Sequence, residues 1–96
     1  MDRLKGKVAI VTGANSGVGA AIASLFAAEG AKVVMTARRR EALEQVAAAI
    51  ASVGGETLVV PTDISHPGDP ERLVETALEA FGSVDILVNN AGILEK

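Results

Sequence analysis

The sequence predicts an α/β protein built on a doubly wound parallel β-sheet. Four short apolar runs, rich in branched aliphatic residues, alternate along the 96-residue chain with three segments whose apolar residues recur every three or four positions. The first pattern is typical of buried strands and the second of amphipathic helices. Because parallel neighbours need a crossover, which a helix supplies, the order βαβαβαβ predicts a parallel sheet with right-handed connections.

The four predicted strands are continuous apolar runs, as expected for a sheet that is covered on both faces. They span residues 7–12 (KVAIVT), 32–36 (KVVMT), 57–60 (TLVV) and 85–88 (DILV).

Three predicted helices connect these strands, each with one apolar stripe. The stripes comprise Val18, Ala21, Ile22, Leu25 and Phe26; then Leu43, Val46, Ala47 and Ile50; then Leu73, Val74, Ala77, Leu78 and Phe81. The first helix is expected to begin at Gly17, and glycines that can adopt a left-handed conformation follow each helix, at Gly30, Gly54 and Gly82. Asp69 is placed to cap the third helix, with Pro70 in its first turn.

Composition excludes several classes of function. The net charge of −3 argues against non-specific nucleic-acid binding. The chain has no Cys, so it has no disulfide framework and no thiolate metal site. No apolar run approaches the ~18 residues of a membrane span, and the first run is too short for a signal-peptide core. We therefore expect a cytoplasmic protein without a metal and without a nucleic-acid or membrane partner.

The stretch TGANSGVG, residues 12–19, has the features of a phosphate-binding loop. Gly13, Gly17 and Gly19 follow a strand and open a helix, where free N–H groups and the helix dipole favour an anion. A plain strand-to-helix turn would need only one glycine, so three favour a ligand. A P-loop is excluded because it requires G-x-x-x-x-G-K-[ST], and no Lys or Arg lies between Lys7 and Lys32.

The glycine spacing G-x-x-x-G-x-G differs from the common dinucleotide fingerprint G-x-G-x-x-G. Together with NNAG after the fourth strand, it resembles the short-chain dehydrogenase/reductase family, whose members move hydride between NAD(P) and alcohol or carbonyl substrates. The family's two motifs are matched by Thr12, Gly13, Gly17 and Gly19 and by Asn89, Asn90, Ala91 and Gly92. The resemblance covers the whole chain. It implies that residues 1–96 are one cofactor-binding portion of a Rossmann-like domain, with strand order 3-2-1-4 and without the rest of the family fold.

The resemblance also implies which residues contact the cofactor, all near the carboxyl ends of strands, where ligands bind in open α/β sheets. Asp63, followed by Ile64, matches the family's adenine-contacting position, and the alternative for Asp63 is a local turn. Asn89 and Asn90 have a similar alternative as turn formers at a strand end. The expected cofactor contacts are Gly13, Asn15, Ser16, Gly17, Val18, Gly19, Arg38, Arg39, Asp63, Ile64, Asn90, Ala91 and Gly92.

The second strand ends in a way that favours NADP. An NAD enzyme of this architecture usually has Asp or Glu there for the ribose 2′-OH, whereas this chain has Ala37 followed by Arg38. A carboxylate would repel a 2′-phosphate, and an Arg would pair with it. We expect Arg38 to be the phosphate anchor, Arg39 a helper and Arg40 solvent-facing. Many NADP-preferring relatives have a basic residue where this chain has Ser16, so use of NAD stays open.

The residues that perform chemistry in the family are not expected in this chain. They are a Tyr-x-x-x-Lys pair and a Ser, helped by an Asn, all beyond the fourth strand. This chain has no Tyr, and its only His, His66, lies in a Pro/Gly loop, which is typical of a solvated side chain. We therefore expect no catalytic residue within 1–96. The full-length protein is expected to bind a small alcohol or carbonyl substrate and to form a homo-oligomer.

Two other functions are compatible with parts of this pattern. One is a stand-alone, non-catalytic module that binds a dinucleotide or a protein partner. The other, a methyltransferase with a related sheet, is less well supported because its ligand has no phosphate for Arg38 to meet. Since the fourth strand would form an open apolar edge, we also expect the isolated chain to be marginally stable or to self-associate.

Overall fold

The computed structural model describes residues 3–15, 17–63 and 66–90, which form a four-stranded parallel sheet with helices packed on both faces. The elements in chain order are β1 (Val8–Thr12), α1 (Gly17–Ala28), β2 (Lys32–Thr36), α2 (Arg40–Ala51), β3 (Glu56–Val59), α3 (Asp69–Phe81) and β4 (Ile86–Val88). The strand order β3-β2-β1-β4 confirms the predicted topology. Within the described ranges, no helix combines the length and apolar character needed to cross a bilayer.

The strand boundaries differ from the predicted ones by one residue. Lys7, Val60 and Asp85 lie just outside the strands, while Glu56 belongs to β3. The sheet hydrogen bonding nevertheless extends past the assigned ends, because the Val60 N–H donates to the Met35 carbonyl at 3.0 Å. Such differences at element ends do not alter the face on which a side chain lies.

The core has two layers because successive side chains of β1 and β2 point to opposite faces of the sheet. On one face α1 and α2 pack on Val11, Val33 and Met35, with Leu43 of α2 fully buried. On the other face α3 is the one described helix that packs, and its Leu73 and Ala77 meet a smaller cluster formed by Val8, Ile10, Val34 and Val60. The prediction of a sheet that is covered on both faces is confirmed.

The predicted stripe of α1 is only partly correct. Ile22 and Phe26 pack against the core, but Val18 is 54% exposed and Leu25 is 59% exposed, and Ala21 is also exposed. The buried residues of this helix are the small ones, Gly19 and Ala23. The helix is apolar on nearly every side, so periodicity could not identify the contact face, and small side chains allow the closest approach to the sheet.

The predicted cap of α3 is wrong by one position. Asp69 is the first residue of the helix rather than its cap, and Gly68 holds the cap position with φ 89°. Gly68 has no side chain and so makes no capping hydrogen bond of that kind. Pro70 lies in the first turn as expected, and Gly82 ends the helix with φ 86°. The Asp69 carboxylate is consequently available to a neighbouring loop.

The strand β4 lies at an edge of the sheet. Among the described strands it pairs only with β1, and Leu87 in its middle is 62% exposed. Val74 and Leu78 of α3 are also exposed.

Candidate functional site: the carboxyl edge of the sheet

The residues predicted to bind a cofactor follow strands whose carboxyl ends lie at one edge of the sheet. The register aligns Thr12 with Thr36, Met35 with Val59, and Val11 with Val88. Gly13, Arg38, Asp63 and Asn90 come one to four residues after the ends of β1, β2, β3 and β4. The fold therefore brings these four positions to one side of the molecule.

The glycine loop between β1 and α1 leaves the amino end of the helix open. Gly13 has φ 63°, a left-handed conformation that favours glycine. Asn15, Gly17 and Val18 are exposed, and a Cβ added at Gly17 would meet nothing within 4 Å. The first turn of α1 contains no acidic residue. An approaching anion would therefore meet the positive end of the helix dipole without a competing carboxylate on that turn.

Gly19 has a different role, because it allows the glycine loop and the end of β4 to interlock. A Cβ at this position would overlap the Gly13 carbonyl oxygen and would lie 2.8 Å from Asn90 Nδ2. Asn90 is fully buried, and its Nδ2 donates to the same Gly13 oxygen at 3.2 Å. The buried Asn90 side chain thus stabilises the conformation of the glycine loop through this hydrogen bond. Any contact between Asn90 and a cofactor would come from its backbone.

A second link between β1 and the end of β4 involves Thr12. Its hydroxyl oxygen lies 3.3 Å from the Val88 carbonyl oxygen and 3.3 Å from Asn89 Oδ1, so its single hydrogen can be shared between them. Asn89 is otherwise exposed. Both asparagines of the NNAG motif therefore contact the TG segment that opens the glycine loop.

Buried polar side chains are concentrated at this edge. Among the described residues they are Thr12, Thr36, Thr62 and Asn90, one near the carboxyl end of each strand. Thr36 and Thr62 lie 2.6 Å apart through their hydroxyl oxygens and join the ends of β2 and β3. Burying a hydroxyl is costly unless it is hydrogen-bonded, so these pairs fix the relative positions of the strand ends. Thr12 was recognised from the glycine motif, whereas Thr36 and Thr62 were missed, although a Thr at or just after each of the first three apolar runs was a visible signal.

Between the ends of β2 and β3 lies an open cleft of about 260 Å³. It is lined by Arg38, Pro61, Thr62, Asp63 and Asp69. Its width is set at the base by the threonine pair and by the Thr62 N–H, which donates to the Ala37 carbonyl at 3.0 Å. Its lining residues thus include one basic and two acidic residues. The cleft brings together two predicted site residues, Arg38 and Asp63, that are 25 positions apart in sequence.

The three consecutive arginines have different surroundings. Arg38 and Arg39 are exposed, and within the described parts of the chain neither makes an ion pair. Arg40 begins α2 and pairs with Glu44 at 3.4 Å, one turn along the helix. Arg40 is exposed, as predicted, and of the three arginines it is the one that forms an ion pair with a described residue.

Asp63 is held through its backbone. Its N–H donates to Asp69 Oδ2 at 2.8 Å, and its carbonyl accepts from the His66 N–H at 2.8 Å. These two bonds tie Asp63 to the loop before α3 and to the first residue of that helix. Asp63 thus makes local backbone hydrogen bonds and also lines the cleft, while its contact with adenine stays a prediction.

Four predicted site residues lie outside the described residues, namely Ser16, Ile64, Ala91 and Gly92.

A larger cavity, of about 450 Å³, lies at the opposite end of the sheet between the carboxyl ends of α1 and α2. The residues that line it carry no charged side chain. An anionic dinucleotide therefore fits the carboxyl edge better than this larger cavity.

Comparison with known proteins gives the same family for nearly the whole chain. The family model described as short chain dehydrogenase matches residues 7–96. An uncharacterized oxidoreductase of Methylorubrum extorquens is 45% identical over 96 residues, which are 99% of this chain and 39% of that protein.

Solved structures agree with this result. The hydroxysteroid dehydrogenase from Escherichia coli superposes with a TM-score of 0.88 at 40% identity, covering 91% of this chain and 37% of that one. A metagenomic short-chain oxidoreductase in complex with NADP gives a TM-score of 0.84 at 43% identity, with 88% and 38% covered. The chain thus spans less than two fifths of the length of these relatives.

Proposed function

Because this chain belongs to the short-chain dehydrogenase family, we propose that it forms the NADP(H)-binding part of an oxidoreductase. The whole enzyme would transfer hydride between the nicotinamide and an alcohol or carbonyl substrate. The observation that carries the proposal is the combination of an open helix amino end at Gly17 with a cleft that holds Arg38 and Asp63. The first suits a pyrophosphate, and the second suits the adenosine end of the same ligand.

The preference for NADP rests on the end of β2. The residue after this strand is Ala37 rather than an acid. Arg38, which lines the cleft, forms no ion pair with an acidic residue of the described chain. A 2′-phosphate would supply that partner, because guanidinium and phosphate form strong, often bidentate hydrogen bonds. NAD remains a second cofactor in the proposal, since Ser16 adds no charge beside the glycine loop.

The proposal assigns cofactor binding to this chain and assigns it no proton-transfer residue. The chain contains no Tyr, and His66, its only His, is exposed in the loop before α3. We propose that substrate binding, proton transfer and homo-oligomer contacts belong to the full-length protein, with the cytoplasm as its compartment. Asn15, Gly17, Val18 and Arg39 are proposed cofactor contacts because all four are exposed at the edge where the ligand would bind.

The test of this function is the affinity of the Arg38→Ala variant for the two cofactors. A charge-assisted hydrogen bond of about 1.5–3 kcal/mol corresponds to roughly 10- to 150-fold in affinity. Titration of NADP⁺ and NAD⁺ should therefore show a loss of that size for NADP⁺ and almost none for NAD⁺. Arg40→Ala is the matched control, because Arg40 already pairs with Glu44. Equal losses for both cofactors in the Arg38 variant would contradict the assignment.

A non-catalytic module that binds a dinucleotide or a partner is the second candidate. It is favoured by the exposed apolar edge at Leu87, which offers a surface for a partner. The two candidates differ in the mass of the protein in its source cell. A mass well above 9.8 kDa, with a Tyr-x-x-x-Lys peptide, would favour the oxidoreductase, and a mass of 9.8 kDa would favour the module.

A further inference from the structure

The first residue of α3 makes a contact that helix capping does not explain. Asp69 lines the cleft together with Arg38 and Asp63, and its side chain is 18% exposed. Its Oδ2 accepts the Asp63 N–H at 2.8 Å and no N–H of its own helix. The carboxylate therefore holds a residue of the preceding loop, six positions back in the chain.

The other oxygen of this carboxylate faces two basic side chains. Asp69 Oδ1 lies 3.6 Å from Arg72 Nη2 and 3.7 Å from His66 Nδ1. Arg72 Nη2 also donates to the Pro61 carbonyl at 3.3 Å. Two side chains in the first turn of α3 thus bind the preceding loop on both sides of Thr62. Asp69 accepts a hydrogen bond from Asp63, and Arg72 donates one to Pro61.

We propose that Asp69 is a positioning residue for the adenine end of the cofactor site. By accepting the Asp63 N–H it fixes the backbone of Asp63, so that the Asp63 carboxylate stays in the cleft opposite Arg38. A fixed carboxylate can accept a hydrogen bond from the exocyclic amino group of adenine at little ordering cost. This inference rests on the proposed function, because it concerns the same cleft and the same ligand.

A purely structural role for Asp69 makes a different prediction. A carboxylate in the first turn of a helix stabilises the helix by its charge interaction with the helix dipole, whichever group it is hydrogen-bonded to. Such a role would change the stability of the fold and would leave the choice between two bound nucleotides untouched. Glu71 provides the comparison, because it lies in the same first turn and is exposed.

The experiment compares NADPH with the analogue in which hypoxanthine replaces adenine. Hypoxanthine presents a carbonyl oxygen where adenine has its amino group, and a carboxylate would repel that oxygen. Binding can be followed by nicotinamide fluorescence, since the chain has no Trp or Tyr to interfere. The readout is the ratio of the two affinities in the unsubstituted chain and in Asp69→Ala, Asp69→Asn and Glu71→Ala.

We expect the unsubstituted chain to favour adenine by about tenfold and Asp69→Ala to reduce this ratio to within about twofold. Asp69→Asn should keep most of the ratio, because its amide oxygen can still accept the Asp63 N–H. Glu71→Ala should keep all of it. An unchanged ratio in Asp69→Ala, or no preference in the unsubstituted chain, would overturn the inference while NADPH binding itself stood. If the unsubstituted chain does not bind NADPH, the proposed function and the inference both fail.

Discussion

Gly19 is the residue at which one added carbon should change the site most. Because glycine has no side chain, there is room beside Gly19 for the Gly13 carbonyl and for Asn90 Nδ2, which are hydrogen-bonded to each other. The Gly19→Ala variant would have to separate α1 from the end of β4. We expect its free energy of unfolding to fall by about 1–3 kcal/mol, the usual cost of overpacking, together with a loss of NADP⁺ affinity. Urea unfolding and cofactor titration measure the two effects.

Gly17→Ala is the matched control, because a methyl group there would meet nothing within 4 Å and would lie at the open amino end of α1. Its stability should stay close to that of the unsubstituted chain, while its cofactor affinity should fall if the pyrophosphate approaches this position. A Gly19→Ala variant as stable as Gly17→Ala would contradict the interlock between the two loops.

Residue types at the site could be predicted from the sequence more readily than residue contacts. The glycines, Arg38 and Asp63 stood out through spacing and strand ends. The Asn90 bond to Gly13 joins residues 77 positions apart, and local patterns carry no information about such a pair. The same holds for the Thr36–Thr62 hydroxyl pair, 26 positions apart. Long-range hydrogen bonds of this kind depend on register, which only the folded sheet defines.

Among the elements, the strands were the easiest to predict and α1 was the hardest. A buried parallel strand must be apolar on both faces, so a continuous run such as VAIV in β1 has few other interpretations. In α1 almost every position is apolar or small, and the sequence therefore marks no unique face. Leu43 and Ile50 of α2, a helix that also carries three charged residues in its first five positions, were assigned to the core correctly.

The amino end of α3 shows a second limit at this scale. Both Gly68 and Asp69 are favourable cap residues, and the sequence favoured the acid. The structure uses the glycine, with φ 89°, and directs the acid to the Asp63 N–H. The choice depends on the path of the loop from β3, which a local motif does not contain.

For the whole molecule, the unpaired side of β4 has consequences for solution behaviour. Leu87 is 62% exposed on this edge strand, and Val74 and Leu78 of α3 are also exposed. Edge strands with apolar side chains tend to pair with another chain. We expect the chain to self-associate as its concentration rises, and Leu87→Lys to reduce this association. Sedimentation velocity over a range of concentrations measures it.

Val53→Lys is the control for that substitution, because Val53 is 82% exposed but lies in the turn after α2, away from β4. It should leave self-association unchanged. A chain that stays monomeric and melts sharply at a temperature independent of concentration would contradict the expectation.

We propose above all that the carboxyl edge of the sheet binds NADP(H). The most direct measurement is a map of backbone amide shifts in the ¹H–¹⁵N spectrum as NADP⁺ is added. We predict that the largest changes fall on Gly13, Gly17 and Gly19 of the glycine loop and on Arg38 and Asp63 at the cleft. Changes confined to the opposite end of the sheet, around Gly54 and Gly55, or no changes at all, would contradict the account.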